Sequence, residues 1–200
     1  MRFHFVGIYT LPEPVEAVRK AEAILVGGGN TFRLLDSLYR QELLEPIRER
    51  VRSGMPYLGI SAGTNVACPL IRTTNDMPIV QSPSLDALGL VGIQINAHYY
   101  TETNFVKHGE QLVEHFGETR DGRLCEFHEE NETPVLGLWE GGMLRIEAGH
   151  IRLIGSAARL FSKGIASQDF LPGSILELNV AVRRGTEQTS EDIKWLDLLA

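Results

Sequence analysis

A serine stands in Gly59-Ile60-Ser61-Ala62-Gly63, directly after the apolar run 57–60. A G-x-S-x-G between a strand and a helix is the layout of a nucleophile elbow. The sharp turn lifts the hydroxyl above the sheet edge, and small flanking residues let the backbone turn without a clash. The amide of Ala62 then faces the same space as the hydroxyl. The plainer alternative is a tight turn with an incidental serine. A nucleophilic serine needs a base, and the base needs a group that orients it. Of the six histidines, His98 follows the expected strand 91–95. Ligands of open α/β sheets bind outside the carboxyl ends of strands, so Ser61 and His98 share that edge. His4 opens the chain's first apolar run. His108, His115 and His128 read as solvated helix faces, and His150 as part of a turn. The third partner should be an acid at the same edge. Glu140 follows the run 135–138 and precedes Gly141-Gly142. Asp76 competes with it, its simpler role being an Asx turn before Pro78. The order Ser, His, Glu differs from the Ser, acid, His order of α/β-hydrolases.

A second glycine cluster, Gly27-Gly28-Gly29-Asn30, also ends an apolar run. It lacks the Gly-Lys-Ser/Thr of a Walker loop, and Phe32 occupies the last position of a would-be G-x-G-x-x-G. With no Cβ, Gly29 can bring its amide close to a developing oxyanion, and the amides of Gly29 and Ala62 form the expected pair. There is no H-E-x-x-H, and His128 with Glu129, Glu130 and Glu132 reads as a charged surface. No cofactor or metal is expected.

The elements that must hold these groups follow from periodicity. Residues 3–8 read as a strand and 14–21 as a helix with Pro14 near its start. Residues 23–26 form a continuous apolar run, as a buried parallel strand does. Helices are expected near 31–38 and over 43–52, where Leu43, Leu44, Ile47 and Val51 recur at helical spacing. A strand at 57–60 precedes a helix from Ala62. This alternation implies a parallel sheet covered on both faces. Further on, 91–95 reads as a strand, and 109–116 and 120–128 as helices. The last third reads as short strands at 135–138, 144–146, 151–154, 159–161 and 175–182. Residues 190–199 read as a short amphipathic helix.

Composition bounds the rest. Two hundred residues suit one domain, 1–200, with a single core. A net charge of −7 disfavours nucleic acid or an anionic membrane as the main partner. No apolar run is long enough to span a bilayer. Cys68 and Cys125 form no metal spacing, which suits a reduced cytoplasmic protein.

Taken together, these residues resemble the peptidase E, or aspartyl dipeptidase, family of serine peptidases, related to cyanophycinase. The resemblance runs from about Ala21 through Glu140. It is carried by Val26-Gly27-Gly28-Gly29-Asn30-Thr31-Phe32, Ser61-Ala62-Gly63-Thr64-Asn65, Ala67-Cys68-Pro69 and the segment 71–80 with Thr74-Asn75-Asp76-Met77-Pro78. Gln94-Ile95-Asn96-Ala97-His98, Gly117-Glu118-Thr119-Arg120 and Gly137-Leu138-Trp139-Glu140-Gly141 complete it. It implies an α/β fold: a doubly wound, mostly parallel sheet, flavodoxin-like or class I glutamine amidotransferase-like, with extra C-terminal antiparallel strands. It implies a triad of Ser61, His98 and Glu140, oxyanion amides at Gly29 and Ala62, and substrate contacts from Arg120, Asp76 and Asn75. The implied substrate is a dipeptide with N-terminal aspartate, whose side-chain carboxylate would meet Arg120; a guanidinium fork fits a carboxylate in two parallel bonds. The alternatives are a hydrolase of aspartate-arginine polymer and a non-catalytic relative. The stretch between His98 and Gly117 is longer than the resemblance leads one to expect.

The resemblance also places a strand and helix ahead of residues 3–8, and Met1 leaves no room for them. The expectation is that 3–8 pairs directly with 24–26 in a smaller sheet, and that a homodimer covers the exposed surface.

Overall fold

The computed structural model describes residues 4–101, 105–114, 117–147, 149–177 and 196–199. Its first half alternates as the sequence requires. α1 (Pro14–Lys20) starts on proline, whose missing N–H costs nothing there, and carries Arg19 and Lys20 in its last turn. β1 (Ile24–Val26) leads into the glycine loop. α2 (Thr31–Arg40) is capped by Asn30, whose side chain accepts the Arg33 N–H at 3.1 Å. α3 (Leu44–Arg52) buries Leu44, Ile47 and Val51, three residues at helical spacing on one face. β2 (Tyr57–Ile60) pairs parallel to β1, and α4 (Ala62–Ala67) follows with every residue buried.

β3 (Gln94–Tyr99) starts later and runs further than the expected strand 91–95. The expected helix 109–116 is a hairpin instead, β4 (Phe105–His108) with β5 (Gln111–Glu114); residues 115–116 lie outside the described residues. Gly109, at φ +65°, opens the two-residue loop Gly109-Glu110, and a glycine there reverses the chain where a helix would continue. α5 (Arg120–Glu130) agrees with the expected helix. β6 (Val135–Trp139), β7 (Met143–Glu147), β8 (His150–Ile154), β9 (Ala158–Ser162), β10 (Ile165–Phe170), β11 (Ile175–Leu176) and β12 (Leu196–Leu199) complete the chain.

Among the described residues the strands form one sheet in the order β1-β2-β12-β7-β8-β11, a second in the order β10-β9-β6-β3, and the hairpin. Parallel pairing joins β1 to β2, β2 to β12 and β3 to β6. The C-terminal strands pair antiparallel, β7 with β8, β8 with β11, and β9 with β6 and β10. The fold is α/β, and Ser61, His98 and Glu140 lie at the carboxyl ends of β2, β3 and β6, each a member of a parallel pair. One continuous core, including Leu35, Ile47, Tyr57, Val66, Ile95, Leu136 and Leu144, underlies both sheets.

Two further expectations are corrected. Residues 4–7 take no regular structure and Ile8–Thr10 is a single 3-10 turn, so this segment does not pair with β1; Phe3 lies outside the described residues. The N–H and hydroxyl of Thr10 both donate to Gly7 O, the kind of acceptor a strand ladder would need. The tail is not helical over Leu196–Leu199: those residues form β12, where both backbone edges find a ladder, on β2 and on β7. The expected strand 175–182 is seen as β11, and 178–182 lies outside the described residues. β10 has no counterpart in the sequence reading, because its residues are mostly exposed and carry no apolar alternation. Among the described residues no helix is long and apolar enough to cross a membrane.

Candidate active site

Ser61 joins β2 to α4 with φ 54° and ψ −108°, a conformation L-residues rarely hold. Its flanking glycines permit the turn. A Cβ on Gly63 would lie 2.0 Å from Val26 O, and one on Gly59 would lie 2.7 Å from Gly63 O. Tyr57 donates its hydroxyl to Gly63 O at 2.7 Å and Thr64 donates to Gly59 O at 3.1 Å, fastening the elbow from both sides. Ser61 makes no side-chain cap bond to α4, so its hydroxyl remains available.

That hydroxyl is 2.9 Å from Nε2 of His98, and Nδ1 of His98 is 2.5 Å from Oε2 of Glu140. With imidazole neutral and the carboxylate ionised, Nδ1–H donates to Glu140 and Nε2 accepts the Ser61 proton. His98 reaches this position through a break in the ladder. Ala97 pairs with Leu138 and Tyr99 with Trp139, so two steps on β3 match one on β6 and His98 is the extra residue. Its φ is +56°, and its ring is re-aimed toward Ser61. Glu140 occupies the turn after β6. There Gly142 N–H donates to Trp139 O at 2.9 Å, Gly141 holds φ +77°, and the Ser156 hydroxyl donates to Glu140 O at 2.6 Å.

The glycine loop lies against the same serine. A Cβ on Gly28 would approach Ser61 Cβ at 3.3 Å, while Gly29, at φ +131°, faces open space. Ala62 opens α4 directly behind Ser61. The competing acid of the sequence reading, Asp76, is accounted for here. Asp76 Oδ2 accepts from Thr31 N–H at 2.7 Å, from the Thr31 hydroxyl at 2.5 Å and from Thr74 at 3.2 Å, so its carboxylate fastens the start of α2 and the glycine loop before it. Asn30 adds a bond from Nδ2 to Met77 O at 2.8 Å. Asn75 turns the other way, donating to Ala97 O at 2.8 Å and accepting from Asn96 at 2.9 Å, which pins β3 just before the bulge. Thr31, Thr74 and Asn96 stand in the motifs of the resemblance without an assigned role; each is a polar residue that ends buried or half-buried in this cluster.

Arg120 is the first residue of α5, behind the Thr119 cap, which accepts the Gly122 N–H at 3.0 Å. Its guanidinium lies over the Tyr100 ring, 5.1 Å from the centroid. Its Nε is buried without a hydrogen-bond partner, and burial lowers its pKa below the usual arginine value. The nearby acid of the same motif is engaged elsewhere, since Glu118 pairs with Arg123 at 2.6 Å. Among the described residues no carboxylate forms an ion pair with this half-buried guanidinium. His128, expected on a solvated helix face, is buried, with Nδ1 3.1 Å from Asn131 O.

Known proteins are similar to this chain over most of its length. Peptidase E of Streptomyces coelicolor is 48% identical over 178 residues, which cover 88% of this chain and 70% of that one. A Drosophila melanogaster protein named probable alpha-aspartyl dipeptidase is 47% identical over 172 residues, 85% of this chain and 69% of its own. Peptidase E of a Nostoc species is 45% identical over 177 residues, again 88% and 70%. A sequence model of peptidase family S51 matches residues 1–154, the stretch that holds Ser61, His98, Glu140 and both glycine loops, and the chain belongs to that family.

Proposed function

We propose that this protein is a serine-type dipeptidase that hydrolyses dipeptides with N-terminal aspartate. The observation that carries the reading is the hydrogen-bonded series Ser61–His98–Glu140, held at the carboxyl ends of β2, β3 and β6. As Ser61 Oγ bonds to the substrate carbonyl carbon, its proton passes to Nε2 of His98. Glu140 keeps the imidazole in the accepting tautomer and stabilises the imidazolium. The carbonyl oxygen becomes an oxyanion facing the amides of Gly29 and Ala62. His98 returns the proton to the leaving amine as the C–N bond breaks, leaving an ester on Ser61. Water then attacks with the same base, and Ser61 regains its proton.

Arg120 supplies the selectivity. A free, half-buried guanidinium recognises the aspartate side chain, and a neutral residue there leaves the cation desolvated and unpaired. Asp76 and Asn75 serve the substrate from behind, by fixing the glycine loop and the end of β3. The free thiols of Cys68 and Cys125 suit a cytoplasmic setting. The test is a panel of chromogenic amides of Asp, Asn, Glu, Ala and Leu. Turnover of the Asp amide should exceed that of Asn by about a hundredfold or more. Equal turnover of Asp and Asn overturns the reading.

A further inference from the structure

Three elements of the site converge on one guanidinium outside it. Arg159 of β9 places Nη1 3.2 Å from Asp121 Oδ2 and 3.5 Å from the Tyr99 hydroxyl. Its Nε and Nη2 grip Asp169 of β10 at 2.5 and 2.8 Å. The Tyr99 hydroxyl donates to the other oxygen of Asp121. The guanidinium carbon also lies 5.9 Å from the centroid of the Trp139 ring, which meets Tyr99 edge-on at 4.5 Å. Each inner partner is the chain neighbour of a site residue. Tyr99 follows His98, Trp139 precedes Glu140, and Asp121 follows Arg120.

These three connections are not equivalent. β3 and β6 are already in register through their ladder, and Gly137 admits the Tyr99 ring at a distance, 2.6 Å from a would-be Cβ, that no side chain would leave. α5 has no ladder. Its first turn is joined to this frame by Asp121, which takes the Tyr99 hydroxyl on one oxygen and Arg159 on the other. We propose that Arg159 is a positioning residue for substrate selection: through Asp121 it holds the first turn of α5, and with it Arg120, at a fixed place relative to Ser61, His98 and Glu140. The inference rests on the reading of Arg120 as the carboxylate partner. Arginine suits the task because its planar fork reaches Asp121 and Asp169 at once, whereas an ammonium is a single point charge.

The test compares wild type, Arg159→Met, Arg159→Lys and Asp169→Asn on the Asp and Asn amides. Labelling of Ser61 by a small neutral fluorophosphonate and hydrogen exchange at residues 119–124 and 94–99 are followed in parallel. Arg159→Met should raise KM for the Asp amide about tenfold and erode the Asp-over-Asn preference by a similar factor, with kcat within about threefold. Fluorophosphonate labelling should stay within about twofold, and exchange should quicken at 119–124 but not at 94–99. Arg159→Lys, the variant least disturbing to folding, should move the same way by less. Asp169→Asn, which keeps the Asp121 contact, should stay near wild type in KM. An unchanged KM and preference in Arg159→Met overturns the proposal, as does a parallel fall in kcat and labelling, which marks general loosening. If the wild type itself shows no preference for Asp, the functional reading fails. Exchange then decides the lock alone: quickening confined to 119–124 supports it, and unchanged exchange overturns it.

Discussion

Ser61, the proposed nucleophile, and Arg120, the proposed carboxylate partner, are mounted in opposite ways. Around Ser61 the backbone itself does the fixing: α4 is buried throughout, and Gly63 packs against the Val26 carbonyl more closely than any Cβ permits. Around Arg120 the fixing is done by side chains. α5 buries only Leu124 and His128, and its first turn is joined to the sheet by the Tyr99–Asp121–Arg159 contacts. On the proposed roles, bond-making chemistry rests on close packing that tolerates no added atom, and selection rests on polar contacts that can be adjusted one at a time.

Substitutions can break or sharpen this contrast. Ser61→Ala should lower turnover on the order of a million-fold with the melting temperature almost unmoved, since the hydroxyl serves no cap. Activity within tenfold of wild type would remove Ser61 from the mechanism. The two thiols report the same division. Cys68, at the end of α4, is fully buried and its pKa is pushed up to about 12 by that burial. Cys125, on α5, is exposed. Iodoacetamide at pH 8 should modify Cys125 at least about a thousand times faster than Cys68, read by mass spectrometry of peptides. Comparable rates would mean that α4 opens as readily as α5.

Two glycines make a matched pair. Gly63→Ala should cost about 3 kcal/mol or more in urea unfolding, because its Cβ would sit 2.0 Å from a carbonyl oxygen. Gly122→Ala, in the first turn of α5, meets only Thr119 Oγ1 at 3.4 Å and should stabilise by about 0.5 kcal/mol. Equal effects would erase the contrast. The smallest effect concerns acid. The hydrogen bonds from Arg159 hold Asp169 below its ordinary pKa of 3.8, so their contribution is present above that value and is lost as pH falls through the lowered one. Both groups face solvent in part, which limits the effect to about 0.5 kcal/mol. The stability difference between wild type and Arg159→Met should therefore shrink between pH 5 and pH 2 in urea melts.

Local signals made the Ser61–His98–Glu140 series readable. Ser61 stood between two glycines after an apolar run, and His98 and Glu140 each followed a run of strand-forming residues. Their meeting needed only the rule that functional groups gather at the carboxyl edge of strands. The Asp76 cluster was half legible: its motif was visible, yet its partner Thr31 lies 45 residues away and has no spacing to betray it. Arg159 was silent for the same reason, since it meets Asp121 and Asp169 only after β9 has paired with β6 and β10. The misread hairpin and tail share another cause. Both are short segments whose apolar residues fit a helical or an alternating pattern equally, and only the pairing decides between them.

The bulge at His98 has a consequence for descent. The residue is supernumerary to the ladder, so deleting it restores a regular pairing of β3 with β6 and removes a left-handed backbone worth about 1–3 kcal/mol of strain. On the proposed role of His98, a substitution other than glycine silences the enzyme but keeps the strain, whereas loss of one codon silences it and leaves a sounder sheet. Selection for activity is then what retains the extra residue. A lineage released from that selection should shorten here by one residue before it decays anywhere in the core.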